Sequence, residues 1–287
     1  MNSHAASSAP CPEEAGKTLA GFIAAHPRLL VLTGAGVSTA SGIPDYRDLQ
    51  GQWKRAQPVS YQAFMGRELT RQRYWARSLV GWRTFGRATA APAHRVLADL
   101  ERSGLVELLV TQNVDGLHEA AGSRRVVDLH GRLDAVRCMD CGARLARELW
   151  QGALIERNPA WSALSALSAP DGDADLEAVD FAQFVIPPCP SCGSRLLKPD
   201  VVFYGESVPR ERVGRAMDAL GRSRALLVLG SSLMVYSGYR FVLAAREAAM
   251  AVAAVNQGVT RADGAFTLKL ASDVGRTLQV AASILHG

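Results

Sequence analysis

Four cysteines in two C-x-x-C pairs, Cys138 with Cys141 and Cys189 with Cys192, are the feature that most constrains how this chain can fold. Two intervening residues let a tight turn aim both thiolates of a pair at one metal ion, and four thiolates complete a tetrahedral zinc site. Four ordinary buried cysteines are the alternative, but Cys-Gly turns and polar neighbours argue against it. A four-thiolate site is closed and structural. The sequence therefore predicts one structural Zn²⁺ per chain, with the chemistry elsewhere.

The composition of this 287-residue chain, 48% apolar and 21% charged, predicts a soluble globular protein. No apolar run is long enough for a membrane span, and the Ala/Ser-rich start lacks the order of a secretory signal. We therefore expect a cytoplasmic protein with no membrane partner. The net charge of +5 is spread over scattered arginines, which does not imply nucleic acid. Only Cys11 lies outside the two pairs, so no disulfide framework is expected.

Short, continuous apolar segments recur along the chain and end at glycine or polar residues. This pattern is typical of parallel strands buried on both faces, and ligands bind at the carboxyl ends of such strands in a doubly wound sheet. The predicted strands are Leu29–Leu32, Val106–Val110, Val126–Leu129, Ala225–Leu229 and Ala251–Val255, after an opening helix over Pro12–His26. The predicted fold class is α/β: a Rossmann-like doubly wound parallel sheet, with a small inserted lobe made of a helical segment and a four-cysteine zinc module.

Two insertions interrupt the segments that would form the sheet. Residues 50–90 are rich in Arg, Trp and Tyr and predict a helical insertion, and residues 138–198 form the zinc module. Both are expected to build one small lobe beside the sheet. The Rossmann-like domain then consists of residues 12–49, 91–137 and 199–287, and residues 1–11 are expected to be a disordered tail.

A glycine turn, Gly34-Ala35-Gly36, follows the first predicted strand. By itself G-x-G is a weak signal, and Thr39 replaces the third glycine of the usual dinucleotide fingerprint. The next residues would open a helix whose free amides can bind a pyrophosphate, but the segment Gly42–Arg47 breaks that helix almost at once. An ordinary dehydrogenase would continue the helix.

Six motifs follow one another along the chain. They are Gly34-Ala35-Gly36-Val37-Ser38 with Gly42–Arg47, Thr111–His118, Leu129-His130-Gly131, the two cysteine pairs, Lys198–Glu206, and Gly230-Ser231-Ser232. In this order they resemble the sirtuins, the family of NAD-dependent protein lysine deacylases. Further likeness, in Tyr46, Tyr74–Arg77, Val235–Gly238 and the long zinc loop, points to the class II branch that contains the mitochondrial lipoamidase-type sirtuin and its bacterial relatives.

The resemblance implies an acyl transfer from acylated lysine side chains of proteins to the ADP-ribose part of NAD, with release of nicotinamide. The acyl oxygen attacks the anomeric carbon of the nicotinamide ribose, nicotinamide leaves, and a histidine deprotonates the ribose hydroxyl that then attacks the resulting imidate. By position that histidine is His130, whose usual pKa of about 6.5 suits a general base near neutral pH. The alternative, a core histidine with its hydrogen bonds satisfied, fits His94 and His118 better.

By the same resemblance, Asn113 would orient the ribose and a water, and Asp115 would hold the nicotinamide carboxamide. Without the resemblance, Asn-Val-Asp-Gly would indicate only a turn.

The resemblance also implies the residues that contact NAD. They are Gly34, Ala35, Gly36, Ser38, Asp45, Tyr46, Arg47, Gln112, Asn113, Asp115, Gly230, Ser231, Ser232, Asn256, Gln257, Gly258 and Val274. Among them, Arg47 lies on a loop where its guanidinium could pair with phosphate.

The substrate side of the site has two predicted parts. The β-prone segment Val201-Val202-Phe203-Tyr204 would bind the substrate peptide by strand addition, or else be a plain core strand. Tyr74 and Arg77 have the Tyr-x-x-Arg spacing by which one sirtuin branch binds acidic acyl groups. On a helix they would share a face that suits a carboxylate. Equally, Tyr74 could be a core aromatic with Arg77 at the rim.

Three other functions compete with deacylation. The same cleft could transfer ADP-ribose to a protein side chain. A redox dehydrogenase is a second alternative, against which the missing third glycine and the Gly42–Arg47 segment argue. A zinc-ribbon binding module without catalysis would leave the glycine turn, the Asn-x-Asp motif and His130-Gly131 unexplained.

Overall fold

The computed structural model describes residues 10–55, 57–164, 172, 174, 176 and 179–287. Residues 1–9 of the predicted tail lie outside the described residues, and Pro10 and Cys11 directly precede the first helix. The helices are α1 Pro12–Ala25, α2 Tyr61–Gly66, α3 Glu68–Phe85, α4 Pro92–Arg102, α5 Leu117–Ala120, α6 Arg147–Arg157, α7 Pro159–Ser162, α8 Arg210–Arg222, α9 Tyr236–Glu247 and α10 Val274–His286. The strands are β1 Leu29–Thr33, β2 Val106–Thr111, β3 Val126–Asp128, β4 Gly131–Cys138, β5 Arg144–Ala146, β6 Leu197–Val201, β7 Ala225–Leu229, β8 Ala251–Val255 and β9 Leu268–Leu270.

The main sheet has the strand order β3-β2-β1-β7-β8-β9, and its neighbouring strands all pair in parallel. The central strand β1 is fully buried, because both of its faces are covered by helices. Leu29 and Val31 face a core shared with α1, α4 and α10, whereas Leu30 and Leu32 face a core shared with α8 and α9. This two-sided burial explains why β1 is a continuous apolar run. The predicted α/β fold class is confirmed.

The small lobe has its own hydrophobic core. A three-stranded antiparallel sheet, in the order β5-β4-β6, packs with α3 and α6 around Trp75 and Trp150. Trp75 is fully buried, and its indole N–H donates to the carbonyl of Leu197 at 3.0 Å, which ties α3 to β6. The exact domain boundaries stay a prediction. Across the described residues, no helix combines the length and apolar character that crossing a membrane requires.

Candidate active site and zinc centre

The four cysteines of the small lobe come together at one point. All four sulfurs lie within 4.8 Å of one another; Cys138 Sγ is 3.6 Å from Cys192 Sγ, and Cys141 Sγ is 3.8 Å from Cys189 Sγ. Sulfurs bound at about 2.3 Å to a tetrahedral Zn²⁺ are about 3.8 Å apart, so this spacing fits the metal. Each pair closes the same turn, in which the amide of Gly142 or Gly193 donates to the carbonyl of the first cysteine of its pair. These residues would hold a structural zinc ion.

A cavity of about 930 Å³ lies where the carboxyl ends of the main strands meet the small lobe. Its volume is within the range of small-molecule sites. Every residue predicted to contact NAD lines it, and so do His130, Tyr74 and the segment Val201–Tyr204. Arg77 is not among the lining residues. The structure thus brings together all but one of the residues predicted for cofactor, catalysis and substrate.

The glycine turn after β1 interlocks with the turn after β7. The amide of Gly36 donates to the carbonyl of Gly230 at 2.9 Å, and a Cβ on Gly34 or Gly36 would lie 2.8 Å from atoms of Gly230. Only glycine therefore fits at these positions. The expected helix opening is wrong in detail, since the chain forms only two 3₁₀ turns, Ala35–Val37 and Thr39–Ser41, and then ends at Gly42 with φ +81°.

Ser38 is the centre of a polar network below this turn. The N–H of Ala91 donates to His94 Nδ1 at 3.1 Å, so the neutral ring carries its proton on Nε2 and donates to Ser38 Oγ at 3.3 Å. The Asn113 amide also donates to Ser38 Oγ at 3.0 Å, which leaves the serine proton for Asp115 Oδ2 at 2.7 Å. Burial lowers the pKa of His94, which keeps that ring neutral. The network fixes Asp115 as an acceptor that faces the cavity.

His118, predicted as a core histidine like His94, is 1% exposed and lies beside His94 with ring centroids 4.8 Å apart. Its Nε2 is 3.0 Å from Thr33 Oγ1, the side chain at the end of β1. Burial, and then the neighbouring His94, lower the pKa of His118 well below its usual value. His118 is therefore a neutral part of the core, whereas His94 belongs to the network of the site.

His130 lies between β3 and β4 and uses both ring nitrogens. Nδ1 is 2.9 Å from the carbonyl of Gln112, and Nε2 is 2.7 Å from Ser237 Oγ. Burial lowers the pKa of His130 to about 4, and Arg212 and Arg240 act in the same direction against the opposing Gln112 carbonyl. The ring is therefore neutral near pH 7. Gly131 behind it has φ +84°, and a Cβ there would collide with the carbonyl of Asp200, so the backbone is closely packed at this point.

Gln112 connects His130 to the glycine turns. Its side-chain amide donates to Ser231 Oγ at 2.7 Å and to the carbonyl of Thr33 at 3.3 Å. Among the other predicted NAD contacts, Asn256 donates to the carbonyl of Gly258 at 2.9 Å. The two bonds of Gln112 tie the ends of β1, β2 and β7 together in one wall of the cavity, whereas the Asn256 bond lies within the loop that follows β8.

The loop that carries Asp45, Tyr46 and Arg47 closes on itself. Asp45 pairs with Lys54, and the Arg47 guanidinium donates to the carbonyl of Gly51 at 2.8 Å while it lies 4.0 Å above the Trp53 ring. Arg47 thus lines the cavity with its charge already held in place.

The predicted substrate strand is shorter than expected. β6 ends at Val201, and the chain then turns, because the amide of Glu206 donates to the carbonyl of Phe203 and Gly205 has φ +79°. The amide of Val202 donates to the carbonyl of His130 at 2.7 Å, and Tyr204 forms a single bridge with Ser60. Only Val201 of this segment belongs to a regular strand, and the residues after it run along the cavity wall into the turn Phe203–Glu206.

Tyr74 and Arg77 both lie on α3 but have different surroundings. Tyr74 is 5% exposed and packs against the rings of Phe64 and Phe203, with part of its surface in the cavity wall. Arg77 is partly buried outside that wall. The structure therefore brings only Tyr74 to the cavity.

Three residues with evident roles were not singled out from the sequence. Ser237 is hydrogen-bonded to His130, and Lys198 and Glu206 form an ion pair that holds the turn after β6. The only available signal was their place within the motifs Val235–Gly238 and Lys198–Glu206.

Comparisons with known proteins agree with this geometry. The Sir2 family model matches residues 34–237. An NAD-dependent protein deacetylase of Bordetella bronchiseptica is 62% identical over 254 residues, 88% of this chain and 92% of the relative. That of Xanthomonas axonopodis pv. citri is 60% identical, over 91% of this chain and 89% of the relative. A solved structure described as "Sir2-p53 peptide-NAD+" is 29% identical with a TM-score of 0.71, over 94% of this chain and 96% of that chain. The chain therefore belongs to the Sir2 family of NAD-dependent protein deacetylases.

Proposed function

We propose that this chain removes acyl groups from lysine side chains of proteins, with NAD as co-substrate and His130 as the general base. The observation that carries the proposal is the position of His130. The neutral ring lies at the cavity wall between the glycine turns and the Val201–Tyr204 segment, so a cofactor on one side and a peptide on the other would both reach it. Relatives at 62% and 60% identity are named as NAD-dependent protein deacetylases.

When bound, NAD supplies the anomeric carbon from which nicotinamide leaves and the hydroxyl that takes over the acyl group. The protein's part is to bind, orient and move a proton. Asp115, held as an acceptor by Ser38, can bind the amide N–H₂ of nicotinamide. The fixed Nδ1–H of His130 leaves the lone pair on Nε2 to take up the proton that the ribose hydroxyl loses.

The substrate peptide would lie along the Val201–Tyr204 segment. Solved Sir2 structures are described with a p53 peptide and with a propionylated peptide, and both support an acyl-lysine substrate here. We expect the acyl group to lie near Tyr74, because this side chain reaches the cavity wall and Arg77 does not.

Mass spectrometry on one peptide that carries acetyl, succinyl, lipoyl or glutaryl lysine tests the proposal. Each peptide is incubated with and without NAD, beside His130→Ala and the matched control His286→Ala, which changes an exposed histidine far along the chain. We expect loss of an acyl group only with NAD, and only when His130 is present. A mass gain on the protein substrate without acyl loss would instead support ADP-ribosyl transfer. If Arg77 reaches the acyl tail, Arg77→Ala will slow only the succinyl and glutaryl peptides.

A further inference from the structure

The hydrogen bonds of His130 determine which atom donates at Nε2. A carbonyl oxygen can only accept, so the bond to Gln112 places the ring proton on Nδ1. Nε2 then has one lone pair in the ring plane and no proton. Ser237 must therefore be the donor in the 2.7 Å bond between Nε2 and its hydroxyl. The lone pair expected to accept the substrate's proton is already filled by a protein hydroxyl.

The backbone of Ser237 is held in place. It lies in the first turn of α9 and is 7% exposed. A Cβ on the next residue, Gly238, would lie 2.5 Å from the Gln112 side chain, so the helix start packs directly on the residue whose carbonyl holds His130. Further along the same helix, the side chains of Phe241 and Val242 are fully buried. The helix start cannot move away from His130 without breaking this packing.

The Ser237 hydroxyl also has unused acceptor capacity on the cavity side. A serine oxygen can accept two hydrogen bonds in addition to the one that it donates. Across the part of the chain that the structure describes, its only hydrogen bond is the one to His130, and the residue lines the cavity. The oxygen therefore donates to the base and can accept from a ligand.

We propose that Ser237 is a proton relay between the substrate sugar and His130, an inference that rests on the proposed deacylase function. The O–H bond of the ribose hydroxyl breaks, and its proton moves to Ser237 Oγ. The original Ser237 proton moves at the same time to His130 Nε2, which becomes an imidazolium. The ribose oxygen keeps the electron pair of its broken bond and uses it to form a C–O bond with the acyl carbon. The double bond between that carbon and the lysine nitrogen becomes a single bond, and its electron pair moves to the nitrogen. Serine is unchanged at the end of the step.

The free protein gives the first test, without NAD. Nitrogen-15 NMR of the histidine ring follows the tautomer and titration of His130 in the unmodified protein, Ser237→Ala, Ser237→Thr and the control Ser283→Ala, an exposed serine on α10. The groups that act on the ring are the Gln112 carbonyl, Arg212, Arg240 and Ser237. A donor to the neutral ring opposes protonation, so we expect the pKa of His130 to rise in Ser237→Ala only.

Kinetics then separate a relay from mere packing. We expect kcat for deacylation to fall about 100-fold in Ser237→Ala, the range of general acid–base catalysis, and to stay within threefold in Ser237→Thr, which keeps the hydroxyl. An Ala variant within twofold of the unmodified protein would overturn the relay, because the ribose hydroxyl would then reach His130 directly. Equal losses in the Ala and Thr variants would overturn it too. If the unmodified protein deacylates nothing, the proposed function fails, but the NMR result still shows whether Ser237 donates to His130.

Discussion

The ion pair between Lys198 and Glu206 determines how the turn after β6 is held. The Lys198 side chain is 5% exposed, and its ammonium lies 3.0 Å from Glu206 Oε2 and also donates to the carbonyl of Val201. The same carboxylate oxygen accepts the amide of Phe203 at 2.9 Å. Burial lowers the pKa of Lys198, and Glu206 opposes that effect. Each charge is therefore tolerated mainly because the other is present.

Lys198→Met leaves the Glu206 carboxylate without its partner. Removal of one member of a buried pair costs about 3–5 kcal/mol, and we expect about 3 kcal/mol because the Glu206 side chain is 21% exposed. The double variant Lys198→Met/Glu206→Gln removes both charges and should lose less stability than Lys198→Met alone. As a control, Lys269→Met breaks a pair whose side chains are 26% and 38% exposed and should cost less than about 1 kcal/mol.

Urea unfolding of these variants and of Glu206→Gln measures the coupling. The same preparations should show a raised KM for the acyl peptide and a KM for NAD within twofold, since the pair holds the segment along which we propose that the peptide binds. The reasoning is refuted if the losses of the two single variants add up in the double variant to within about 0.5 kcal/mol, as they do for independent sites.

Three further outcomes follow from the site. Cys141→Ser should lower zinc below one ion per chain and turnover at least tenfold; unchanged metal content and turnover would exclude a structural role for the cluster. Gly131→Ala should also lower turnover at least tenfold with the circular dichroism spectrum retained, since its Cβ collides with the Asp200 carbonyl; full activity would show that β4 shifts freely. Burial keeps His118 neutral in the folded protein at pH values below its usual pKa of 6.5, so the unfolded chain binds more protons there. The free energy of unfolding, measured with urea, should therefore fall from pH 7 to pH 5, and this residue should contribute up to about 1.4 kcal/mol per pH unit. That fall should be smaller in His118→Asn, and equal slopes in the two proteins would contradict the assignment.

The sequence predicted the central strands because each is a continuous apolar run buried on both faces. Because these strands run in parallel, the polar residues at their carboxyl ends had to meet at one edge of the sheet, which explains why the predicted NAD residues were found together. Strand β9 was missed because its three residues include Lys269 and leave no such run. The cytoplasmic location stays a prediction.

Other features could not be predicted because they depend on tertiary contacts. Lys198 belongs to a residue type that is usually exposed, and its burial depends on Glu206. Ser237 meets His130 across 107 positions of sequence, and a single serine carries no periodic signal. The turn at Phe203 depends on the same ion pair. Since the sequence does not show that contact, the β-prone segment was expected to continue as a strand.

The order of strands in the main sheet has a consequence for how the chain reaches its native state. β1 pairs with β7, so Leu29 must find Ala225, whereas β4, β5 and β6 pair within residues 131–201. Contacts between distant segments form late, because the intervening loop must first be closed. During synthesis the metal-binding lobe can be complete before β7 leaves the ribosome, and we expect it to be the earlier folding unit. A shortage of zinc would then act first on newly made chains, and chains already folded would be affected later.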